Sequence, residues 1–110
     1  MIPPALTLRY DRLRELQTAQ DLLDSVHAAG IIGQEEQFLS DKIRDLEREL
    51  DETDAETQRL IDQLTEMSPR LFAGLHFQAG YPWAEIAGIF NLSEDAVKSC
   101  VYRALRRANL

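Results

Sequence analysis

Residues 83–110 read WAEIAGIFNLSEDAVKSCVYRALRRANL, and this stretch predicts two short helices joined by a tight polar turn. Asn91 stands in the turn, and asparagine is the non-glycine residue that most readily adopts a left-handed backbone. Ser93 offers an N-cap oxygen to the second helix, and Glu94 and Asp95 place negative charge on its first turn, where the helix dipole favours it. The stretch therefore predicts a helix-turn-helix.

The apolar residues of this stretch predict how the two helices pack. Small Ala87 is expected where the helices cross, because a larger side chain would hold them apart. We expect Leu92 to be buried, so that a carboxylate there would unfold the unit. Trp83 is expected in the same core and not as a platform on which bases stack. The other residues expected in the contact are Ile86, Phe90, Val97 and Val101.

The outer side of the second predicted helix carries the candidate DNA contacts. Lysine or arginine there would contact phosphates or guanine edges, and serine or tyrosine would mostly contact phosphates. A capped second helix with a basic body suits the major groove. The alternative is a solvated terminal helix whose basic residues complement the helix dipole. The candidate residues are Ser93, Lys98, Ser99, Tyr102, Arg103, Arg106 and Arg107.

Charge is unevenly distributed along the chain. The 110 residues carry a formal net charge of −7, which by itself argues against nucleic acid as a partner. Residues 1–67 hold seven Lys or Arg against sixteen Asp or Glu, whereas residues 68–110 hold five against three. Because salt screens charges beyond about 8–10 Å, the basic last third can face DNA while the acidic remainder does not.

The N-terminal two thirds predict a helical hairpin. Apolar residues recur at spacings of three and four from about Pro4 to Ala29, and again as a heptad from Leu39 to Met67 with threonines at its centre. Gly30 and Gly33 separate the two stretches. We prefer an antiparallel intramolecular hairpin over a parallel zipper, because acidic flanks would repel each other in the zipper. The hairpin brings a basic set to the level of an acidic set: Arg9, Arg12 and Arg14 against Asp54 and Glu56.

Helix-start signals divide the rest of the chain into further helices. Ser68 and Pro69 predict the start of a helix, as an N-cap followed by proline at the first helical position, and Pro82 predicts another start. The expected C-terminal helices are 69–79, 82–90 and 93–108. No strand candidate occurs. We therefore predict an all-α protein with an acidic helical hairpin in residues 1–67 and a tri-helical helix-turn-helix unit in residues 68–110.

Composition and motifs argue against several classes of protein. At 110 residues with 45% apolar composition, the chain has material for a small domain and not for a large enzyme core. The single cysteine, Cys100, excludes an internal disulfide and a four-cysteine zinc site, and His27 and His76 lack partners at metal-ligand spacing. No phosphate loop or nucleophile motif occurs. We expect no catalytic residues, no metal and no cofactor.

The sequence also bears on location. No apolar run approaches the roughly 18 residues that span a bilayer, and the first twelve residues, MIPPALTLRYDR, lack a long apolar signal core. A single cysteine fits a reducing compartment. We therefore expect a cytoplasmic protein without a membrane partner.

The segment EIAGIFNLSEDAVKSCVYRAL resembles the fourth region of sigma factors, which reads the −35 promoter element. The similarity covers roughly residues 66–108 and is carried by Glu85-Ile86-Ala87, Leu92-Ser93 and Val97-Lys98-Ser99. The wider layout, an acidic helical segment followed by Tyr81-Pro82-Trp83 and this unit, looks like small prophage regulators of the ArpU and RinA kind. The resemblance implies a transcriptional regulator of phage or mobile-element origin.

Two functions from different classes follow. The first is a sequence-specific regulator of transcription that binds double-stranded DNA, with an acidic hairpin that positions the DNA-binding unit or contacts RNA polymerase or a partner chain. The second is a protein-interaction module, such as a phage assembly component or sigma-like adaptor, which uses the same fold without DNA.

A homodimer is expected through the N-terminal helices, because two paired units gain affinity on spaced half-sites. We expect two hairpins to pack side by side and leave both C-terminal units free. The residues expected in the interface are Leu13, Leu16, Leu23, Leu39, Ile43, Leu46 and Leu50.

Overall fold

The computed structural model describes residues 2–110 and consists, over that range, of α-helices joined by turns. The helices are α1 Pro4–Ala28, α2 Gln34–Asp62, α3 Met67–Phe77, α4 Trp83–Phe90 and α5 Glu94–Arg107. The described range contains no strand, and the prediction of an all-α fold is confirmed.

Helices α1 and α2 form the expected antiparallel hairpin. Arg9 Nη2 lies 3.1 Å from Asp54 Oδ1, and Arg12 Nε lies 3.0 Å from Glu49 Oε1, so residues early in α1 face residues late in α2. At the tip, Gly33 has a φ of 129°, a backbone conformation that side chains rarely adopt. The predicted hairpin and the contact between Arg9 and Asp54 are therefore confirmed, although Arg12 pairs with Glu49 and not with Glu56.

The heptad of α2 packs inside the hairpin. Leu46 and Leu50 are buried within the single chain, so the prediction that these two residues lie in an interface between two chains is wrong. Met67, expected at the end of the stripe, is exposed. The reason is that α2 ends at Asp62 and α3 begins at Met67, so the turn between them breaks the helical period.

The third helix starts slightly earlier than the sequence predicts. Its N-cap is Glu66 and not Ser68, and Pro69 lies buried in its first turn. Leu71 is exposed, whereas Phe72 and Phe77 are buried. The shift follows from packing, because α3 turns Phe72 and Phe77 toward α5 and the end of α2.

One core joins the hairpin to the C-terminal helices. Leu6 of α1 and Leu64, in the turn after α2, lie in the same buried cluster as residues of α3, α4 and α5. Burial of such aliphatic side chains contributes roughly 1.5–3 kcal/mol each. The core therefore continues across the predicted division between residues 67 and 68. Its other members from the C-terminal helices are Phe72, Ala73, Phe77, Ile86, Ala87, Val97, Val101, Ala104 and Leu105.

A buried arginine ties three helices together. Arg9 of α1 is 7% exposed, and its Nε donates a hydrogen bond of 3.0 Å to the carbonyl oxygen of Phe77 at the end of α3. Its Nη1 donates to the carbonyl oxygen of Leu50 at 2.9 Å and to Thr53 Oγ1 at 3.0 Å. With the ion pair to Asp54, every part of the guanidinium has a partner. The geometry holds α1 in register with both α2 and α3.

A histidine lies sandwiched at the same junction. The ring of His76 stacks between Tyr10 and Trp83, with centroids 3.8 and 3.7 Å away. Its Nδ1 lies 2.7 Å from the carbonyl oxygen of Tyr81, and because a carbonyl can only accept, Nδ1 carries the proton. Burial lowers the pKa of His76 from 6.5 to about 4, against the opposing effect of the hydrogen bond to Tyr81, and the charge of Lys98 lowers it further.

Acid should weaken the fold through His76. The unfolded chain binds a proton near pH 6.5 and the folded chain only near pH 4, so this stabilisation is complete above pH 6.5 and is lost as the pH falls toward 4. Between pH 7 and pH 5 the free energy of unfolding should fall by about 2 kcal/mol from this group. Urea titrations at both pH values measure the loss. His76→Gln should remove this pH-dependent loss, and the control His27→Gln should keep it. If the parent and both variants lose the same free energy of unfolding between pH 7 and pH 5, His76 is not its source.

Candidate nucleic-acid interface

The turn between α4 and α5 has the predicted geometry. Asn91 takes the left-handed conformation, with φ 56° and ψ 44°. The amide of Leu92 reaches back to the carbonyl oxygen of Ala87 at 2.9 Å, which closes the end of α4. Ser93 Oγ accepts a hydrogen bond of 3.1 Å from the amide of Ala96. The predicted left-handed turn and N-cap are both confirmed.

The inner face of α5 holds it against the rest of the unit. Val97, Val101 and Leu105 are buried, as are Ile86 and Ala87 of α4. Because these positions recur every three or four residues, a single stripe of α5 is covered and the opposite side faces solvent.

Two predicted core residues lie at the surface. Leu92 is 47% exposed and Phe90 is 38% exposed, and the Phe90 ring lies edge-to-face with Phe72 at a centroid distance of 5.2 Å. The prediction that both are buried between the helices is wrong. The left-handed residue Asn91 reverses the chain, so Leu92 no longer follows the period of α4 and points away from the core.

Two of the predicted basic contacts are already paired. Lys98 Nζ lies 3.0 Å from Glu94 Oε1 one turn earlier on α5, and the hydrogen bond and charge of Glu94 raise the pKa of Lys98. Arg107 Nη2 lies 2.8 Å from Glu66 Oε1, at the turn before α3. These carboxylates neutralise two of the four cations of α5.

The other candidates divide into packed and open residues. Tyr102 is half-buried, and its ring lies edge-to-face with Trp83 at a centroid distance of 6.2 Å, so it packs against the core. Ser99 is exposed, and its carbonyl oxygen accepts a hydrogen bond of 3.2 Å from Arg103 Nε. Ser93 is exposed but uses its hydroxyl as the helix cap.

The arginines of the last turns form the most basic surface of the helix. Arg103, Arg106 and Arg107 line one shallow depression at the C-terminal end of α5. Within residues 2–110, Arg103 and Arg106 form no ion pair with a carboxylate. Guanidinium groups bind phosphate oxygens well, because each presents several N–H donors in a plane.

Sequence reasoning missed the acids that modulate this surface. The spacing of Glu94 and Lys98 is the i, i+4 pattern that pairs on a helix, so this contact could have been predicted. Glu66 and Arg107 are too far apart in the sequence for any local signal. Their contact depends on the end of α5 packing beside the turn between α2 and α3.

The histidine and cysteine residues do not form a metal centre in the described part of the chain. Over residues 2–110, no group of three His, Cys, Asp or Glu side chains is placed to hold a metal ion. Cys100 is half-buried, and burial raises the pKa of its thiol. Over the same range, no helix is both long enough and apolar enough to cross a membrane.

Comparison with known proteins does not add a family to this description. No protein-family model, no curated protein and no solved structure matches the chain. Function is therefore inferred from the residues and their geometry.

Proposed function

We propose that this protein is a sequence-specific DNA-binding regulator of transcription, of phage or mobile-element origin, that inserts α5 in the major groove. The observation that carries the proposal is a capped helix after a tight left-handed turn, whose outer side presents Ser99, Arg103 and Arg106 to solvent. The resemblance to the fourth region of sigma factors supports the same conclusion. RNA polymerase is the protein partner that this resemblance suggests for the acidic hairpin.

Along the outer side of α5, we expect contacts to bases near its start and contacts to phosphates farther along. The N-terminal residues of a recognition helix contact base edges, and here these are Asp95, Ala96 and Ser99, all exposed. A carboxylate can accept from cytosine N4, and a small apolar side chain can contact the thymine methyl. Arg103 and Arg106 lie farther along, where contacts to the phosphate backbone set register and affinity.

A second candidate, a protein-interaction module, is favoured by a different observation. Ile89, Phe90 and Leu92 are exposed around the turn, and apolar side chains grouped at one place on a surface suit a protein partner. The neutralised Lys98 and Arg107 also reduce the positive charge available to DNA. A sigma-like adaptor or a phage assembly component would use this surface.

Selection of bound sequences from a random duplex DNA pool distinguishes the two candidates. Enrichment of one common sequence supports the DNA-binding regulator. A pool that stays random at low salt contradicts it and favours the interaction module.

The salt dependence of DNA binding should depend on two arginines. Each phosphate contact contributes about −0.9 to the slope of log K against log salt, so Arg103→Ala/Arg106→Ala should reduce the slope by roughly 2. Fluorescence anisotropy with a labelled duplex at several salt concentrations measures it. The matched control is Arg44→Ala/Arg48→Ala, two exposed arginines of α2 that pair with neighbouring acids. An unchanged slope in the α5 variant, or an equal change in the control, contradicts the assignment.

A further inference from the structure

A groove runs along one side of the hairpin, between α1 and α2, on the half that is nearer to the tip. It has a volume of about 660 Å³ and is lined mainly by apolar surface. Leu22 from α1 and Phe38 from α2 lie on it, and these side chains are 51% and 69% exposed. Ile31 and Ile32 add exposed apolar surface at the same end of the molecule.

The apolar side chains of the groove do not serve the core of the single chain. The buried cluster that unites the helices lies at the opposite end, around Leu6, Leu64 and Phe77. Phenylalanine exposed to this degree loses a large apolar contribution that burial would supply. An exposed apolar groove that has charged residues along it is typical of a surface that binds another protein.

The charges along the groove are of both signs and lie close together. Asp11 and Arg14, one turn apart on α1, line the groove and are exposed. In residues 2–110, neither forms an ion pair, whereas the neighbouring Arg12 pairs with Glu15 and Glu49. One cation and one anion thus remain available at the edge of the apolar surface.

These features fit a surface that binds a copy of itself. A two-fold interface uses the same patch on both subunits, so the patch must hold a hollow and a projection, and both signs of charge. The groove is the hollow and Phe38 is the projection. With two hairpins side by side and parallel, the leucine and phenylalanine side chains meet across the axis, and Asp11 of each chain lies diagonally opposite Arg14 of the other.

We propose that this groove is the docking surface for a second copy of this chain, in a parallel, side-by-side dimer of hairpins. The groove provides the interface, and Leu46 and Leu50 stay buried inside each hairpin. The interface itself does not depend on the proposed DNA binding. Only the placement of two α5 helices on DNA rests on that proposed function. The buried cluster that includes α5 lies at the end away from the tip, so parallel copies place both α5 helices at the same end of the dimer. Two helices presented on one side can reach successive half-sites of DNA, which lie roughly 34–36 Å apart.

Sedimentation equilibrium of the full chain without DNA tests the interface independently of the proposed function. The chain should form dimers in the micromolar range, and Leu22→Ser or Phe38→Ser should each raise the dimer dissociation constant about 30-fold. The matched control is Leu8→Ser, on the same helix, because Leu8 is 48% exposed but lies outside the groove. Circular dichroism should show all three variants folded. A chain that is monomeric at high micromolar concentration, or a dimer that the groove variants leave intact, overturns the proposal.

Charge exchange gives a second test that does not depend on apolar burial. Asp11→Arg makes both residues without an ion-pair partner cations, and Arg14→Asp makes both of them anions. Like charges then oppose each other across the two-fold axis, so each variant alone should dimerise about ten-fold more weakly. Mixed together, the two variants should form a heterodimer at least as well as the parent chain dimerises. If the mixture associates no better than either variant alone, the two residues do not face each other and the proposed arrangement is wrong.

Discussion

Aspartate at Val101 should unfold the protein, whereas aspartate at Leu92 should leave it folded. Val101 is completely buried between α5 and the rest of the core, and Leu92 is about half exposed in the turn. A carboxylate without a partner in an apolar core costs several kcal/mol, about 4 or more, which is comparable to the whole stability of a small domain. At Leu92 the carboxylate stays hydrated, and the cost should be below about 1.5 kcal/mol.

Circular dichroism during thermal unfolding measures both variants. The expected result is loss of the cooperative transition for Val101→Asp and a transition close to that of the parent for Leu92→Asp. Val101→Asn and Leu92→Asn serve as uncharged controls. Val101→Asn should again be the less stable of the two, but the difference in thermal stability should be smaller. If Leu92→Asp unfolds as readily as Val101→Asp, Leu92 belongs to the core and is not exposed in the turn.

Loss of the Arg9 guanidinium should cost about 2–4 kcal/mol in the free energy of unfolding. Arg9→Met keeps the length and apolar stem of the side chain but removes the charged donors to Phe77, Leu50, Thr53 and Asp54. Hydrogen bonds that involve a charged group contribute about 1.5–3 kcal/mol each, and they are not fully additive. Asp54 is mostly solvated, so its lost partner contributes little. Most of the lost stability therefore comes from the carbonyl oxygens of Phe77 and Leu50, which lose their hydrogen-bond donor.

Urea unfolding of Arg9→Met, Arg9→Lys and Arg48→Met resolves this effect. Lysine keeps the charge but presents a single ammonium group in place of a planar fork, so Arg9→Lys should fall between the parent and Arg9→Met. Arg48 is exposed, with one neighbouring acid as its partner, and Arg48→Met should change the stability by less than about 0.5 kcal/mol. Equal losses at Arg9 and Arg48 would show that the bridge between the three helices is energetically unimportant.

Local features of the fold could be predicted because their causes are local. Asn91 adopts the left-handed backbone and Ser93 caps α5, and both follow from the chemistry of one residue and its immediate neighbours. The α1 and α2 helices follow from apolar residues at helical spacing. Their antiparallel pairing was predictable as well, because a short glycine-containing connector and opposite charges at matching levels leave few other arrangements.

The candidate surface could be predicted only in part. The sequence indicates which residues α5 carries, and Val97 and Val101 orient it. It does not indicate that Glu66 reaches Arg107, since that pair is brought together by the packing of α5 beside the α2–α3 turn. Nor does it indicate that Tyr102 lies against Trp83. Charge counted along the chain therefore overestimates the positive surface that α5 offers.

The sequence by itself determined the all-α class, the hairpin, the left-handed turn and the capped last helix, because each depends on backbone preferences and periodicity within a few residues. Only the tertiary structure decided which side chains cross between these elements. Arg9 reaches the carbonyl oxygen of Phe77, and His76 lies between Tyr10 and Trp83. The tertiary structure also decided that Leu92 is exposed. The physical reason is that such contacts depend on the relative position of whole helices, which the sum of many packing interactions sets and no local pattern encodes.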